Sequence, residues 1–299
     1  MIYYVYIKLL KRKYTAKRVS GILRWFVELN FPTLIVLMFL SIFLALNSIF
    51  NKKINQIFSL SLIVSVIEMA AYSAELWEVD HGGSPAVCIF FCALGYTARP
   101  VIVYLYIKLA MRNKKISFIP NILLHLPLVL NAAAAFSAYF TDIVYTYDTA
   151  NNFIRGPLGY TTHIIGIFYM LLLLILTVKR FCKRDYSEGL IIFLIVTVNI
   201  IAMCMESFGG MYGTNRTAYI LSIVFYYMFF STESFKRDPL TNTLNRHCFY
   251  IDSEKHKEEL SAVISIDLND LKKINDTGGH AKGDEAICTV VSVIERRRP

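Results

Sequence analysis

Charge is scarce in this chain. Only 18% of its 299 residues are Asp, Glu, Lys or Arg, whereas 56% are apolar, and the mean hydropathy is +0.48. Soluble domains carry about a quarter charged residues, so an ordinary soluble enzyme is excluded and a membrane protein is the first reading. The net charge is +9, but Lys and Arg sit in short runs between apolar stretches rather than along one face. That excludes a nucleic-acid-binding surface and fits membrane topology. Organised cysteine is missing too. Cys88, Cys92, Cys182, Cys204, Cys248 and Cys288 form no C-x-x-C and have no histidine at metal spacing, which excludes a disulfide framework and a zinc site. Cys88 and Cys92 share a helix face and read as small buried hydrophobes. No internal repeat or low-complexity linker is present. The opening "MIYYVYIKLL" lacks a small-residue cleavage site and is too short to span a bilayer.

What the chain has is apolar length. Seven stretches, each about 17–25 residues long, match the thickness of a bilayer as helices: 31–50, 57–74, 87–110, 118–140, 160–178, 190–207 and 219–235. The loops between them set an orientation. "MRNKK" and "KRFCKRD" are basic, while "ELWEVDHGG" and "TDIVYTYDTANNF" are acidic or neutral, so the positive-inside rule puts the first two in the cytoplasm. Parity then places the C-terminal end there as well, in a multi-pass protein of the cytoplasmic (inner) membrane. The same parity leaves the N-terminus outside, against its basic "KLLKRKYTAKRVSGILRW". Either the number of spans near the start differs or the tail is an exception to the rule, an interfacial amphipathic segment being the milder reading. The expected organisation is a basic tail over 1–30, an all-α polytopic membrane domain of about seven transmembrane helices over 31–235, and a polar domain over 236–299.

Ionisable groups inside apolar spans are costly unless paired or facing a cavity. Glu68 in the second span and Arg99 in the third are therefore expected to pair. Such a pair either serves a function or only fixes helix packing. His125, His163, Asn199 and Glu206 either join a ligand pocket or bridge helices by hydrogen bonds; bridging is the expectation for each alone.

After residue 235 the composition turns polar. "LSAVISIDLND" reads as a short strand ending in acids, with Asp267 at its C-terminal edge. "DLKKIND" has a helical pattern, "TGGH" breaks it, and "KGDEAICTVVSVIERRR" resumes as an amphipathic helix. This order gathers Asp267, Lys272, Asn275 and Asp284 around one edge. A carboxylate at a strand end suits Mg²⁺, a lysine suits phosphate, and an amide beside a carboxylate suits the hydrogen-bonding edge of guanine. A solvated turn between two surface helices is the bland alternative.

"DPLTNTLNR" (238–246) and, some twenty residues later, "IDLNDLKKINDTGGHAKGDEA" resemble the opening of the GGDEF domain of diguanylate cyclases. That family reads D-x-L-T-G-L-x-N-R and then D-x-D-x-F-K-x-I-N-D-x-x-G-H-x-x-G-D. The resemblance implies the N-terminal part of an α/β ferredoxin-like domain. It implies that Asp267 and the Leu268 carbonyl bind Mg²⁺, that Lys272 contacts the GTP triphosphate, and that Asn275 and Asp284 read guanine. The implied reaction joins two GTP into cyclic di-GMP with release of pyrophosphate, across a homodimer. Departures are Asn242 and Thr243 for Gly-Leu, Asn269 for the second acid, and Leu271 for Phe.

The G-G-[DE]-E-F loop does not occur in the 299 residues, so no catalytic residue is present. The chain is expected to be a truncated form and inactive alone. The function expected is a membrane-bound sensor of an unknown ligand, embedded in the lipid bilayer, with diguanylate cyclase output. The alternatives are a membrane receptor whose GGDEF domain only binds nucleotide, and a transporter with an incidental tail.

Overall fold

The structure, a computed structural model, describes residues 21, 24, 26–28, 30–46, 50, 52–111, 121–181, 186–209 and 213–296. Most of the basic tail expected at 1–30, together with Cys182 and the basic loops around 112–120 and 182–185, lies outside the described residues. The described chain is mostly helical: α1 (Asn30–Leu46), α2 (Lys52–Asp80), α3 (Pro85–Ala110), α4 (Asn121–Phe136), α5 (Thr161–Phe181), α6 (Tyr186–Gly209), α7 (Thr214–Phe235), α8 (Arg246–Lys255), α9 (Leu271–Gly278) and α10 (His280–Arg296). It divides into two compact units, Met1–Phe229 and Phe230–Pro299.

Four of these helices, α2, α3, α5 and α6, are long and apolar enough to cross a membrane. Seven were expected. The runs at α1 and α4 form shorter apolar helices, Asn30–Leu46 and Leu124–Tyr139. α4 carries Pro127, which removes one backbone donor from the helix, and it gives way to a 3₁₀ turn at Ser137–Tyr139. α7 begins "TNRT" and ends "STES", so polar residues shorten its apolar stretch from both ends.

α3 is the centre of the first unit. It starts with Pro85 in the first turn after Ser84, the position where a missing N–H costs nothing. It packs against α2, α4, α5 and the β1 strand. Buried side chains occur around its whole circumference, as expected of a helix enclosed by others. Pro100 interrupts it, leaving the carbonyl four residues earlier without its helical donor. Asn131 of α4 supplies one: its Nδ2 donates to the Tyr96 carbonyl at 2.9 Å. Thr162 Oγ1 of α5 in turn donates to Asn131 Oδ1 at 2.9 Å, so one compensating amide links three helices.

Other polar groups bridge helices as expected. His125 Nε2 meets the Tyr104 hydroxyl at 2.9 Å, and Asn199 Nδ2 donates to Ser222 Oγ at 2.8 Å. His163 is different: its Nδ1 is buried without a hydrogen-bond partner among the described residues.

The loop "TDIVYTYDTANNF" holds a hairpin that the sequence reading missed. β1 (Tyr145–Tyr147) and β2 (Phe153–Arg155) pair antiparallel, Thr146 opposite Ile154. Alternation explains it, since Tyr145 and Tyr147 are buried and Thr146 is only half-buried. Asp148 Oδ1 closes the turn by accepting from the Ala150 and Asn152 N–H groups at 2.9 and 2.8 Å. The Tyr145 hydroxyl donates to the Ala135 carbonyl at 3.0 Å, and the Tyr147 hydroxyl donates to Glu75. Burial first, and then the Glu75 carboxylate, push the Tyr147 phenol well above its usual range.

In the second unit the expected strand is not formed. Residues 260–268 lie outside any ladder, and Val263, Ile264 and Ile266 are 64%, 83% and 59% exposed. A strand is stable only when a neighbour takes up its backbone groups. Among the described residues of this unit the only pairing is an isolated bridge, Arg237 with Leu244. The ferredoxin-like sheet is thus not present there, although both helices expected after it are.

Candidate functional site

Two polar constellations stand out, one in each unit. In the second unit, "DPLTNTLNR" folds into a tight turn. Asp238 Oδ1 accepts from Leu240 N (3.1 Å), Thr241 N (2.9 Å) and Thr241 Oγ1 (3.0 Å). These bonds, the Thr241 N–H first, hold the Asp238 carboxyl below its ordinary value. Its contribution to the turn is therefore present above the unfolded pKa and is lost as pH falls through the depressed one. Asn245 caps α8, its Oδ1 accepting from Cys248 N at 3.0 Å. Its Nδ2 donates to the Phe235 carbonyl at 2.7 Å.

Asn242 explains a departure from the family pattern. It adopts φ +57°, the left-handed conformation that glycine takes without cost and asparagine takes more readily than other residues. Asparagine is thus the nearest substitute for the family's glycine. Asn242→Gly is expected to leave the unfolding midpoint of this unit unchanged or slightly raised. Asn242→Val should cost about 1–2 kcal/mol, and equal midpoints for Val and Gly in thermal unfolding would contradict it.

The predicted site residues lie on the next three segments. Asp267 is exposed and Leu268 half-buried, both in the extended segment before α9. Lys272 and Asn275 lie on α9. Asp284 is exposed on the second turn of α10. Gly279, at φ +78°, ends α9, and its N–H donates to the Asn275 carbonyl at 2.8 Å. That reversal folds α10 back so that the Asn275 side chain covers Gly283. A methyl group at Gly283 would collide with Asn275 Oδ1, so glycine here is what lets Asn275 reach the residue adjoining Asp284. Asn275 thus lies against the residue that precedes Asp284. The structure shows no direct contact of Asp267 or Lys272 with Asn275 or Asp284.

The oxygen donors at Asp267 and Leu268 are of the hard kind Mg²⁺ prefers. They are few: among the described residues no three His, Cys, Asp or Glu groups are placed to hold a metal. The fit to Mg²⁺ is thus one of donor type, with the remaining positions left to phosphate and water, as is usual for this ion.

In the first unit the expected Glu68–Arg99 pair is formed, Nε to Oε1 at 3.2 Å. It does not stand alone. Arg99 Nη1 reaches Glu206 Oε1 of α6, also at 3.2 Å, so one guanidinium serves two carboxylates from two helices. Glu206 Oε2 then accepts from the backbone N–H of Asn215 at 3.2 Å. Next to it, Arg216 lies over the Tyr72 ring, 4.6 Å from its centroid. Sequence reasoning passed over Arg216, Asn215 and Tyr72. The available signal was a second arginine, in "TNRTAY" at the start of the last apolar stretch.

Residues 235–297 match the family described as "Diguanylate cyclase, GGDEF domain". The chain is 42% identical over 62 residues to the probable diguanylate cyclase DgcT of Escherichia coli (strain K12), covering 19% of this chain and 14% of that protein. It is 41% identical over 56 residues to an uncharacterized 19.3 kDa protein in the repSA 5′ region of Streptomyces ambofaciens, covering 18% of this chain and 31% of that protein. The chain thus spans less than a third of the length of either relative in the matched region. No solved structure matches it. The C-terminal segment, residues 235–297, is thus similar to the GGDEF domain of diguanylate cyclases.

Proposed function

We propose that this chain is a multi-pass protein of the cytoplasmic membrane whose C-terminal segment supplies the first part of a GTP site on the cytoplasmic face. The full site would condense two GTP into cyclic di-GMP and pyrophosphate. The observation that carries the reading is the Asn275 side chain seated over Gly283 beside Asp284. An amide and a carboxylate side by side offer guanine an acceptor pair for its N1–H and N2–H₂ and a donor for its O6, which adenine cannot match.

In this proposal Lys272 neutralises triphosphate charge, and Asp267 with the Leu268 carbonyl holds Mg²⁺, which polarises phosphoryl oxygens when bound. In this reading the extended segment before α9 and the αL turn at Asp270, φ +57°, carry these groups toward one nucleotide. Each copy holds one GTP, so the active unit is a homodimer. The seven apolar stretches form the sensor, and a signal there changes how two copies pack and whether their GTP sites face each other.

The G-G-[DE]-E-F loop is not among these residues, and the 299 residues alone are proposed to be inactive. Incubated with GTP and Mg²⁺, they are expected to release no pyrophosphate and to form no cyclic di-GMP, while binding GTP in preference to ATP. Robust synthesis would refute the inactivity. Equal binding of the two nucleotides would refute the site assignment.

A further inference from the structure

The polar cluster of the first unit closes on itself. Glu68 pairs with Arg99, Arg99 with Glu206, and Glu206 with the Asn215 N–H. The neighbouring Arg216 lies on Tyr72, which is one turn beyond Glu68 on the same helix face. Around this ring four polar atoms are buried without a hydrogen-bond partner: Glu68 Oε2, Asn215 Oδ1, and Arg216 Nε and Nη1. Their residues are only 1%, 3% and 8% exposed. Native interiors rarely leave such groups unpaired, and each one points to a missing partner.

The missing partner has a definite chemistry. Two of the four atoms are cationic donors and two are acceptors, one of them a carboxylate oxygen. The two glutamates and two arginines of the ring balance, and Glu75, the next carboxylate along α2, is taken up by the Tyr147 hydroxyl. A simple anion on Arg216 would leave a buried net charge, and a simple cation on Glu68 would do the same, at a steep desolvation cost. We infer that this ring is a binding site for a small zwitterion of the α-amino acid class, its carboxylate on Arg216 and its ammonium on Glu68 and Asn215. Such a ligand satisfies all four atoms and keeps the ring neutral. The inference rests on the sensory half of the proposal above and names the class of ligand. It requires nothing of the GTP site.

The test is titration calorimetry of the detergent-solubilised chain with each of the twenty amino acids, with acetate and methylammonium as single-charge probes. At least one amino acid is expected to bind saturably and raise the thermal midpoint, while acetate and methylammonium do neither. Arg216→Met should weaken that binding about tenfold or more. Because Arg216→Met also removes the contact with Tyr72 and one balancing charge, Arg216→Lys accompanies it, keeping the charge without the fork, and should weaken binding with a ligand-free midpoint close to that of the unsubstituted chain. Glu68 also holds Arg99, so Asn215→Ala accompanies Glu68→Gln, and both should weaken binding. Binding of acetate as tight as that of any amino acid, binding by none of the twenty, or unweakened binding in Arg216→Lys would each overturn the inference. GTP binding measured on the same preparation reads the other unit, so failure here is distinguishable from failure of the GTP-site assignment.

Discussion

Replacement of Arg99 by leucine is expected to destabilise the membrane unit by about 3–5 kcal/mol, the usual cost of removing one partner from a buried ion pair. Arg99 is the shared cation of Glu68 on α2 and Glu206 on α6, each at 3.2 Å. Its loss leaves two carboxylates in one apolar interior with Arg216 as the one remaining cation of the cluster. Lysine should be a poor substitute, because a single ammonium lacks the fork that reaches two carboxylates from different sides. The measurement is chemical or thermal unfolding of the solubilised chain, and the control is the double variant Arg99→Leu, Glu206→Gln. It leaves one glutamate, Glu68, and one arginine, Arg216, in the cluster, so the charge balances again and most of the loss should return. An Arg99→Leu midpoint equal to that of the unsubstituted chain would show that this cluster does not hold α2, α3 and α6 together.

The sequence made one half of this cluster legible and hid the other. Glu68 and Arg99 were visible because each interrupts a long apolar run, where any ionisable group stands out. Arg216 was not, because it falls at the edge of a run, where a basic residue normally means only a membrane interface. The helices followed the same rule only in part: four of the seven apolar runs emerged as spanning helices, and run length did not decide which, since α4 carries Pro127 and α7 has polar ends. The strand at 260–267 failed for a different reason. Alternation describes how a segment would sit in a sheet, but the sheet itself depends on non-local partners that no local pattern reports. α9 and α10 were legible because a helix satisfies its own backbone, and "TGGH" carries the Gly279 turn that divides them. The turn "DPLTNTLNR" was recognised through its family resemblance, and only the φ of Asn242 showed why its departure from that pattern is conservative.

The second large effect concerns base recognition. Asp284→Ala is expected to weaken GTP binding roughly 10- to 150-fold, the equivalent of about 1.5–3 kcal/mol for hydrogen bonds to a charged group, while ATP binding stays where it was. The carboxylate would accept the two guanine N–H groups, and adenine has no such pair to lose. A purely electrostatic or structural role for Asp284 would move both nucleotides together. Gly283→Ala probes the same geometry without deleting either recognition group. The added methyl meets Asn275 Oδ1, so the amide must shift from its present position, and GTP should lose its advantage over ATP. Alanine also favours the helical backbone relative to glycine by about 1 kcal/mol, so a loss of discrimination there would not follow from a weakened helix. Titration of the purified chain with a fluorescent GTP analogue, competed by unlabelled GTP or ATP, reads both variants. If Gly283→Ala discriminates as well as the unsubstituted chain, the base is read elsewhere, because no rotamer of Asn275 that occupies its present position can coexist with the methyl group.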